Sequence, residues 1–363
     1  MSVDIRRAQK TICPREAVQM AVFAEVVIEG DKAPKPVETW QGHAGANKND
    51  KLDFTEFAFH SEQGTFDRDG WFSPNPNVLA SAGKEFDLKT VYRRRPDKFS
   101  FTTSYKPDYG CIRGSGAAGA SGPSGDHGAS GSEGRSGASG SSSQAGGDGG
   151  DGAPGTSGGA AGDGSPGPHL VVYAAYVKTP FYDRLLAVQI EGDHSDFVLA
   201  PADRSIIVRA AGGSGGTGGA GGSGGPGGPG GSGNPGGRGG KGGAGGNGGP
   251  GGNGGPGGHI ELFFDPAHPE LRSLVQLDVS GGPAGPGGSG GSAGSGGSGG
   301  SGITPTHSSG GPPPPSAKSG ARGPDGSQGS SGASGHAGPD GRASAAPGPA
   351  KERIGKHPEV TTL

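Results

Sequence analysis

The sequence predicts a mainly β protein in which small β-sandwich or barrel regions anchor a bundle of glycine-rich polyproline-II helices, ending in a partly disordered C-terminal region. Three observations carry that reading. Residues 212–258 repeat Gly-Gly-X in unbroken register, with glycine at every first position and at every second position except Asn234. Glycine-rich excursions begin and end on short apolar, β-branched segments. Finally, only 28% of the 363 residues are hydrophobic, so the core must be confined to a few blocks. Those blocks are roughly 1–110 and 168–210, with an island at 259–280.

Block 1–110 reads as a β-sandwich-like domain. Apolar alternation marks Met20 to Ile28 and Leu52 to Phe59, the latter apolar on both sides in part, as between two layers. Phe86 to Val91 and Phe99 to Tyr105 are shorter strands. Asp69-Gly70 and Pro74-Asn75-Pro76-Asn77 are turns. Segment 111–168 is Gly-X-Y: stepping by three from Gly116 to Gly167, only Ser143 and Ala161 replace glycine. The residues leave order and flexible linkage both open there.

Region 169–302 alternates strands with glycine excursions. Strands are expected at Leu170 to Val177, Leu185 to Ile190, Phe197 to Leu199 and Ser205 to Val208. The Gly-Gly-X tract leaves from the last of these. It returns on Ile260 to Phe264, and a further strand at Leu274 to Val279 precedes a second Gly-Gly-X run that fades near Gly302. Pro312 to Pro315 is a stiff spacer, Gly320 to Gly341 is again Gly-X-Y, and 303–363 is expected to be flexible in part.

Three residues is the period of the polyproline-II helix, which makes no internal hydrogen bonds. Its N–H and C=O groups need water or a neighbour. Gly-Gly-X leaves two bare backbone faces and suits an inner layer; Gly-X-Y leaves one and suits an outer layer. A straight rod of 47 residues would reach about 145 Å at ~3.1 Å per residue. Ends pinned on neighbouring strands require the tract to double back several times, with Asn234-Pro235, Asn247 and Asn253 as reversal points.

Residues 205–302 resemble the Obg fold, the glycine-rich amino-terminal domain of Obg-family GTPases. The likeness lies in the entry strand Ser205 to Gly212, the Gly-Gly-X repeats, the return strand Gly257 to Asp265 and the segment Leu271 to Leu274. The resemblance implies packed polyproline-II helices projecting from a β-barrel. It does not extend to GTP hydrolysis: around Gly240-Lys241-Gly242, Pro235 stands where a phosphate loop needs its first glycine, and Gly242 where it needs a hydroxyl. More loosely, the repeats are similar to polyglycine-II bundles of phage tip adhesins and springtail-type antifreeze proteins.

Other motifs have plain readings. Gly-x-Ser-x-Gly at Gly212 to Gly216 lacks the strand–helix context of a nucleophile elbow. Asp67-Arg68-Asp69-Gly70 lacks the later Glu of a Ca²⁺ loop and reads as a turn, as does Asp193-His194-Ser195-Asp196. Cys13 and Cys111 are too few for a disulfide scaffold, and free thiols are expected. Charged residues interrupt the first thirty positions, so no secretory signal is visible and the cytoplasm is the default, with a virion or a non-Sec export route left open. No membrane-length apolar stretch occurs. A formal net charge of −3 argues against nucleic acid as a partner.

The expected function is non-catalytic: a rigid glycine-helix surface for a repeating partner or for other copies. An adhesin-like receptor-binding tip protein and an ice-binding protein are the alternatives. No cofactor, metal or small-molecule substrate is evident. The candidate interaction patch comprises Arg93, Arg94 and Arg95, with Trp71 if it is exposed beside them, and the X-position cations Arg238 and Lys241. Trp40, Phe72 and Tyr109 are expected in a core or at a sandwich edge.

Overall fold

The computed structural model describes residues 2–5, 10–26, 32–39, 51–67, 70–306 and 314–363. Trp40, Arg68, Asp69, the end of the first expected strand at Val27-Ile28 and the first half of the Pro312–Pro315 spacer lie outside them. The chain is mainly β, with several sheets and short helices.

The amino-terminal block contains β1 (Ser2–Ile5), β2 (Thr11–Ile12), β3 (Val18–Val26), β4 (Lys35–Thr39), β5 (Lys51–Leu52), β6 (Phe57–His60), β7 (Gly64–Phe66), β8 (Trp71–Pro74), helix α1 (Leu79–Ala82), β9 (Phe86–Tyr92) and β10 (Ser100–Pro107). One sheet runs β5-β4-β3-β8-β7, with β1 also on β3, and the other runs β2-β10-β9-β6. Met20, Val22 and Phe72 of the first sheet pack with Ile12, Phe57, Phe86, Leu88 and Tyr105 of the second. The sheets thus enclose a half-barrel core. The expected strand from Leu52 to Phe59 is broken by a 3-10 turn at Phe54–Glu56. Its cause is Asp53, whose Oδ1 accepts the Thr55 N–H at 2.9 Å and the Thr55 hydroxyl at 2.7 Å, a side-chain mimic of a backbone turn.

The expected free thiols are instead a disulfide, Cys13–Cys111, with a Cα–Cα distance of 6.1 Å. Pairing explains it: β2 lies parallel to the end of β10, Lys106 opposite Thr11 and Pro107 opposite Ile12. A 3-10 turn at Tyr109–Cys111, capped by Asp108, then brings the second cysteine back beside the first.

The second region holds β11 (Gly114–Ala118), β12 (His169–Thr179), β13 (Tyr182–Gly192), β14 (Asp196–Pro201), β15 (Ile206–Ala211), β16 (His259–Phe264), helix α2 (Leu271–Leu274), β17 (Val275–Asp278), β18 (Arg342–Pro347), helix α3 (Ala350–Ile354) and β19 (Thr361–Thr362). Strands β11-β15-β17 form a parallel sheet, and β14-β13-β12-β16-β18 form another in which β12, β16 and β18 are parallel. Leu170, Val172, Ile206, Val208, Ile260 and Leu262 fill the core between them. Val78, just before α1, and Ala82 of α1, with Tyr109 and Ile112, join the same core, so the two regions share packed apolar surface. Tyr182 Oη also donates to Pro107 O at 2.7 Å.

Six glycine runs leave or enter these strands: run 1 (119–140), run 2 (146–167), run 3 (212–233), run 4 (236–258), run 5 (281–302) and run 6 (320–341). Runs 1, 3 and 5 continue β11, β15 and β17. Runs 2, 4 and 6 lead into β12, β16 and β18. Strand order within each sheet therefore sets run order within each layer.

Hydrogen bonds recur every third residue. In one layer, Gly119 N–H donates to Ala211 O at 2.9 Å and Gly140 to Ser232 at 2.6 Å, joining runs 1 and 3, while Gly212 to Ser280 at 2.9 Å begins the ladder from run 3 to run 5. In the other, Gly146 donates to Pro235 O and Gly236 to Lys318 O, both at 2.9 Å, linking runs 2, 4 and 6. Between layers, neighbours are antiparallel, as in Gly147 to Ala138 at 2.8 Å, Gly213 to Ser165 at 2.9 Å and Gly282 to Gly255 at 2.8 Å.

This arrangement accounts for the repeat grammar. Runs 3 and 4 are each bonded to four other runs and are Gly-Gly-X. Runs 1 and 6 are each bonded to two and are Gly-X-Y. Run 2 has three bonded neighbours, and its second position relaxes to Ala153, Thr156 and Ser165. A Cβ on Gly159, in that row, would sit 3.1 Å from Asp126 N, whereas a Cβ on Gly227 would overlap the carbonyl oxygen of Gly240.

The central tract reverses once, at Gly233–Pro235, not several times. Asn247 and Asn253 lie along run 4, where their Oδ1 atoms accept from Ser330 and His336 N–H, both at 2.9 Å. A second reversal, at Ser141–Gln144, joins runs 1 and 2.

The described part of 303–363, expected to be flexible in part, is tied in. Arg342 to Pro347 pair with His259 to Phe264, Ala350 and Ile354 are fully buried, and Thr361 pairs with Lys178. Main-chain pairing, which needs no apolar side chain, holds the alanine-rich strand β18.

Gly227→Ala is expected to destabilise the protein by about 1–3 kcal/mol, while Gly159→Ala should stay within about 0.5 kcal/mol of the parent; thermal unfolding of both variants checks the contrast. Reducing the 98-residue-spanning disulfide should lower stability by about 4.7 kcal/mol in the chain-entropy account, read as a fall in the denaturant midpoint with dithiothreitol.

Candidate functional site

The glycine layers present two faces, built from the positions that the lateral ladders leave outward. In runs 3 and 4 the first and second N–H of each triplet donate to neighbouring runs. The X residue is left facing out, and its own N–H needs another partner. Proline removes that requirement at Pro226, Pro229, Pro250 and Pro256. Elsewhere aspartates supply the acceptor. Asp148 Oδ1 takes the N–H of Arg238 at 2.7 Å, Asp151 that of Lys241 at 2.8 Å, and Asp163 that of Asn253 at 2.6 Å. At the seam between runs 5 and 6, Asp325 accepts from Gly296 N–H at 2.7 Å and Asp340 from Gly281 N–H at 2.9 Å. The Gly296 amide, followed by the Arg322 guanidinium, holds the Asp325 carboxyl below its ordinary range.

The two faces differ in chemistry. The face of runs 1, 3 and 5 carries Ser214, Thr217, Ser223, Ser289, Ser292 and Ser295 at X positions, with Ser214 Oγ donating to Ser121 Oγ at 2.8 Å. The face of runs 2, 4 and 6 carries Asp148, Asp151, Arg238 and Lys241 toward the reversal at Pro235. Arg238 and Lys241 are exposed there.

The expected arginine patch is divided. Arg93 Nε donates to Phe57 O at 3.1 Å, and Arg94 makes a two-pronged bond to Glu56 at 2.6 and 2.5 Å. Both tie the β9–β10 turn to the start of β6 and the 3-10 turn before it, and Glu56 raises the Arg94 pKa further. Arg95 is exposed. Trp71 is exposed too, at 41%, but on β8 in the facing sheet, where it pairs with Gln19 of β3. Phe72 and Tyr109 are buried core residues, as expected.

Asp193 to Ser195 join β13 to β14, as the turn reading expects, and Asp67, which borders the undescribed Arg68 and Asp69, accepts Trp71 N–H on its Oδ1 at 2.8 Å. Sequence reasoning missed the pairs that fasten the termini. Arg15 bonds Asp196 at 2.7 and 2.8 Å, and Arg353 bonds Glu191 at 2.8 and 2.6 Å. The Asp148, Asp151 and Asp163 acceptors were missed as well, although each precedes its partner by 90 residues, a constant offset readable once the reversals are known. Cys13, Glu16 and Cys111 cluster within 4.8 Å, but both sulfurs are spent in the disulfide. Among the described residues, no helix is long and apolar enough to cross a membrane.

No protein-family model, curated protein or solved structure matches this chain.

Hydrogen bonding from Arg353 lowers the Glu191 pKa. A depressed carboxyl contributes stability above its unfolded pKa and loses it as pH falls through the folded value. Arg353→Gln is therefore expected to lower stability at neutral pH and to flatten the stability–pH curve below pH ~4, measured by urea unfolding across pH.

Proposed function

We propose that this chain is a non-catalytic structural or interaction protein whose glycine runs form a polyproline-II bundle, a stiff slab that presents flat faces to a repeating partner or to further copies of itself. The single observation that carries the proposal is the period-three ladder joining all six runs in two layers. A spacing of three residues per contact is that of the polyproline-II helix, and each run of about 22 residues would then extend roughly 68 Å. Side chains at X positions would recur about every 9 Å along each run. Such rows suit a partner that itself repeats.

The resemblance to the Obg fold is supported by the same arrangement, glycine runs projecting from paired strands, with no nucleotide chemistry attached to it. Partner proteins and self-assembly fit the faces better than nucleic acid does, given the net charge of −3. The cystine fits an oxidising compartment, such as a cell or particle surface, better than the reducing cytoplasm. One observation favours a second reading, ice binding: the face of runs 1, 3 and 5 is rich in serine and threonine at X positions. Thermal hysteresis in the purified protein separates that reading from the first.

Hydrogen exchange resolved along 212–258 tests the slab. First- and second-position glycine amides are expected to exchange slowly, with Arg238, Lys241 and Asn253 slower than uncapped X positions such as Ala244. Uniformly fast exchange would remove the rigid surface on which the proposal stands. A monomer by light scattering that also captures no partner would count against the assembly role.

A further inference from the structure

The face formed by runs 2, 4 and 6 carries a charge pattern that is complementary to itself. Lateral hydrogen bonds fix which of its residues share a level. Asp148 Oδ1 accepts from Arg238 N–H, Asp151 Oδ1 from Lys241 N–H and Asp163 Oδ1 from Asn253 N–H. Each of these aspartates on run 2 thus sits beside the outward residue of run 4 that lies 90 positions later. Two adjacent stripes result. Run 2 shows three carboxylates, and run 4 shows two cations and an amide at the same levels, all six residues being exposed.

These groups are not consumed within the chain. The Arg238 guanidinium and the Lys241 ammonium form no ion pair among the described residues. Each carboxylate spends its Oδ1 on a backbone amide and keeps Oδ2 as an acceptor. Asn253 spends its Oδ1 on His336 N–H at 2.9 Å, so its amide N–H groups are left to donate. Elsewhere on runs 2 and 4 the outward residues are short and uncharged, as at Ser157, Ala160, Ala244 and Asn247. The charges therefore dominate what another surface would meet.

Two copies that meet through the same face are related by a two-fold axis lying in the contact plane. An axis across the runs lays each run on its own counterpart, which sets carboxylates against carboxylates and cations against cations. An axis along run 4 sets Arg238 on Arg238 and Lys241 on Lys241. An axis along the seam between runs 2 and 4 behaves differently, because run 2 of each copy then lies on run 4 of the other at unchanged level. Asp148 meets Arg238, Asp151 meets Lys241, and the Asp163 carboxylate meets the Asn253 amide, each pairing occurring twice. Resting on the slab reading of the glycine runs, we propose that a second copy of this chain occupies this face in that parallel, two-fold arrangement. A single exposed ion pair contributes little; four in register, with no like charges opposed, select both partner and orientation.

The test is sedimentation velocity on the full chain at about pH 8, where histidines are neutral, and about 100 μM, enough to populate a dimer of micromolar Kd. A dimer should form at about 50 mM salt and dissociate at about 500 mM, where screening acts within a few ångströms. Arg238→Asp/Lys241→Asp leaves the aspartate caps in place and should weaken the dimer about tenfold or more. Asp148→Lys/Asp151→Lys should do the same, with unfolding midpoints confirming that both variants fold. Mixed in equal amounts, the two variants should pair with each other, since run 2 of each is then opposite in charge to run 4 of the other. A monomer at both salt concentrations overturns the proposal, as does a dimer undiminished in Arg238→Asp/Lys241→Asp. So does a failure of the two folded variants to pair; if Asp148→Lys/Asp151→Lys does not fold, the other variant and the salt dependence decide. Slow hydrogen exchange along 212–258 in a monomeric protein would reject this interface and keep the slab, whereas fast exchange would reject the slab itself.

Discussion

The sideways hydrogen bond between glycine backbones is the constraint from which most of this molecule follows. It forms only where a neighbouring chain can come within reach of the amide, and at surrounded positions such as Gly227 a Cβ would close that gap, whereas Ala153, Thr156 and Ala161 keep their bonds with one. Two bare positions per triplet are needed where a run is surrounded, and one where it is not. The sequence obeys this rule in space rather than along the chain. Runs 3 and 4, deepest in the stack, carry the strict Gly-Gly-X pattern, and the outermost runs carry Gly-X-Y. Backbone ordering costs roughly 1–2 kcal/mol per residue, and an amide bond returns about 1 kcal/mol net. Such ladders are therefore weak by themselves. They are held because both ends of the glycine excursions are fixed in sheets built around an ordinary apolar core.

Those sheets do more than hold the ends. Parallel order β11-β15-β17 in one sheet and β12-β16-β18 in the other determines which runs lie beside one another and in which direction. The topology spares the runs the problem of finding register, because each enters at a height fixed by its strand. Conventional side-chain packing thus specifies an assembly that has almost no side chains of its own. The same division applies to surface chemistry. Acidic side chains such as Asp148 and Asp325 cap outward amides, and the remaining X positions stay available.

Much of the mainly β fold was legible, because Leu170 to Val177, Leu185 to Ile190 and Ile260 to Phe264 are runs of branched and aromatic residues with no competing reading. What was not legible depends on long-range pairing. Cys13 and Cys111 meet only because β2 joins β10, and nothing near either residue announces that. Strand β18 is Arg-Ala-Ser-Ala-Ala-Pro, polar and small, and becomes a strand only because β16 offers an edge. Asn247 and Asn253 have turn chemistry, yet neighbouring runs engage those side chains instead. The arginine cluster was visible by composition, but its ties to Glu56 and Phe57 required knowledge of which strand lies next to β9.

The outermost runs carry one further consequence. A ladder of this kind has no natural stopping point, since each added chain exposes the same bare backbone as the last. Here accretion ends at runs 1 and 6, whose flanks bristle with Asp126, Ser132, Arg135, Arg322 and Asp325 in place of glycine. These substituents are selvedges: they finish the fabric at a definite width, as charged side chains do on the rim of a β-sheet. Any larger array built from this protein must therefore stack broadside, and a chain whose selvedges were stripped to glycine would knit onward without limit.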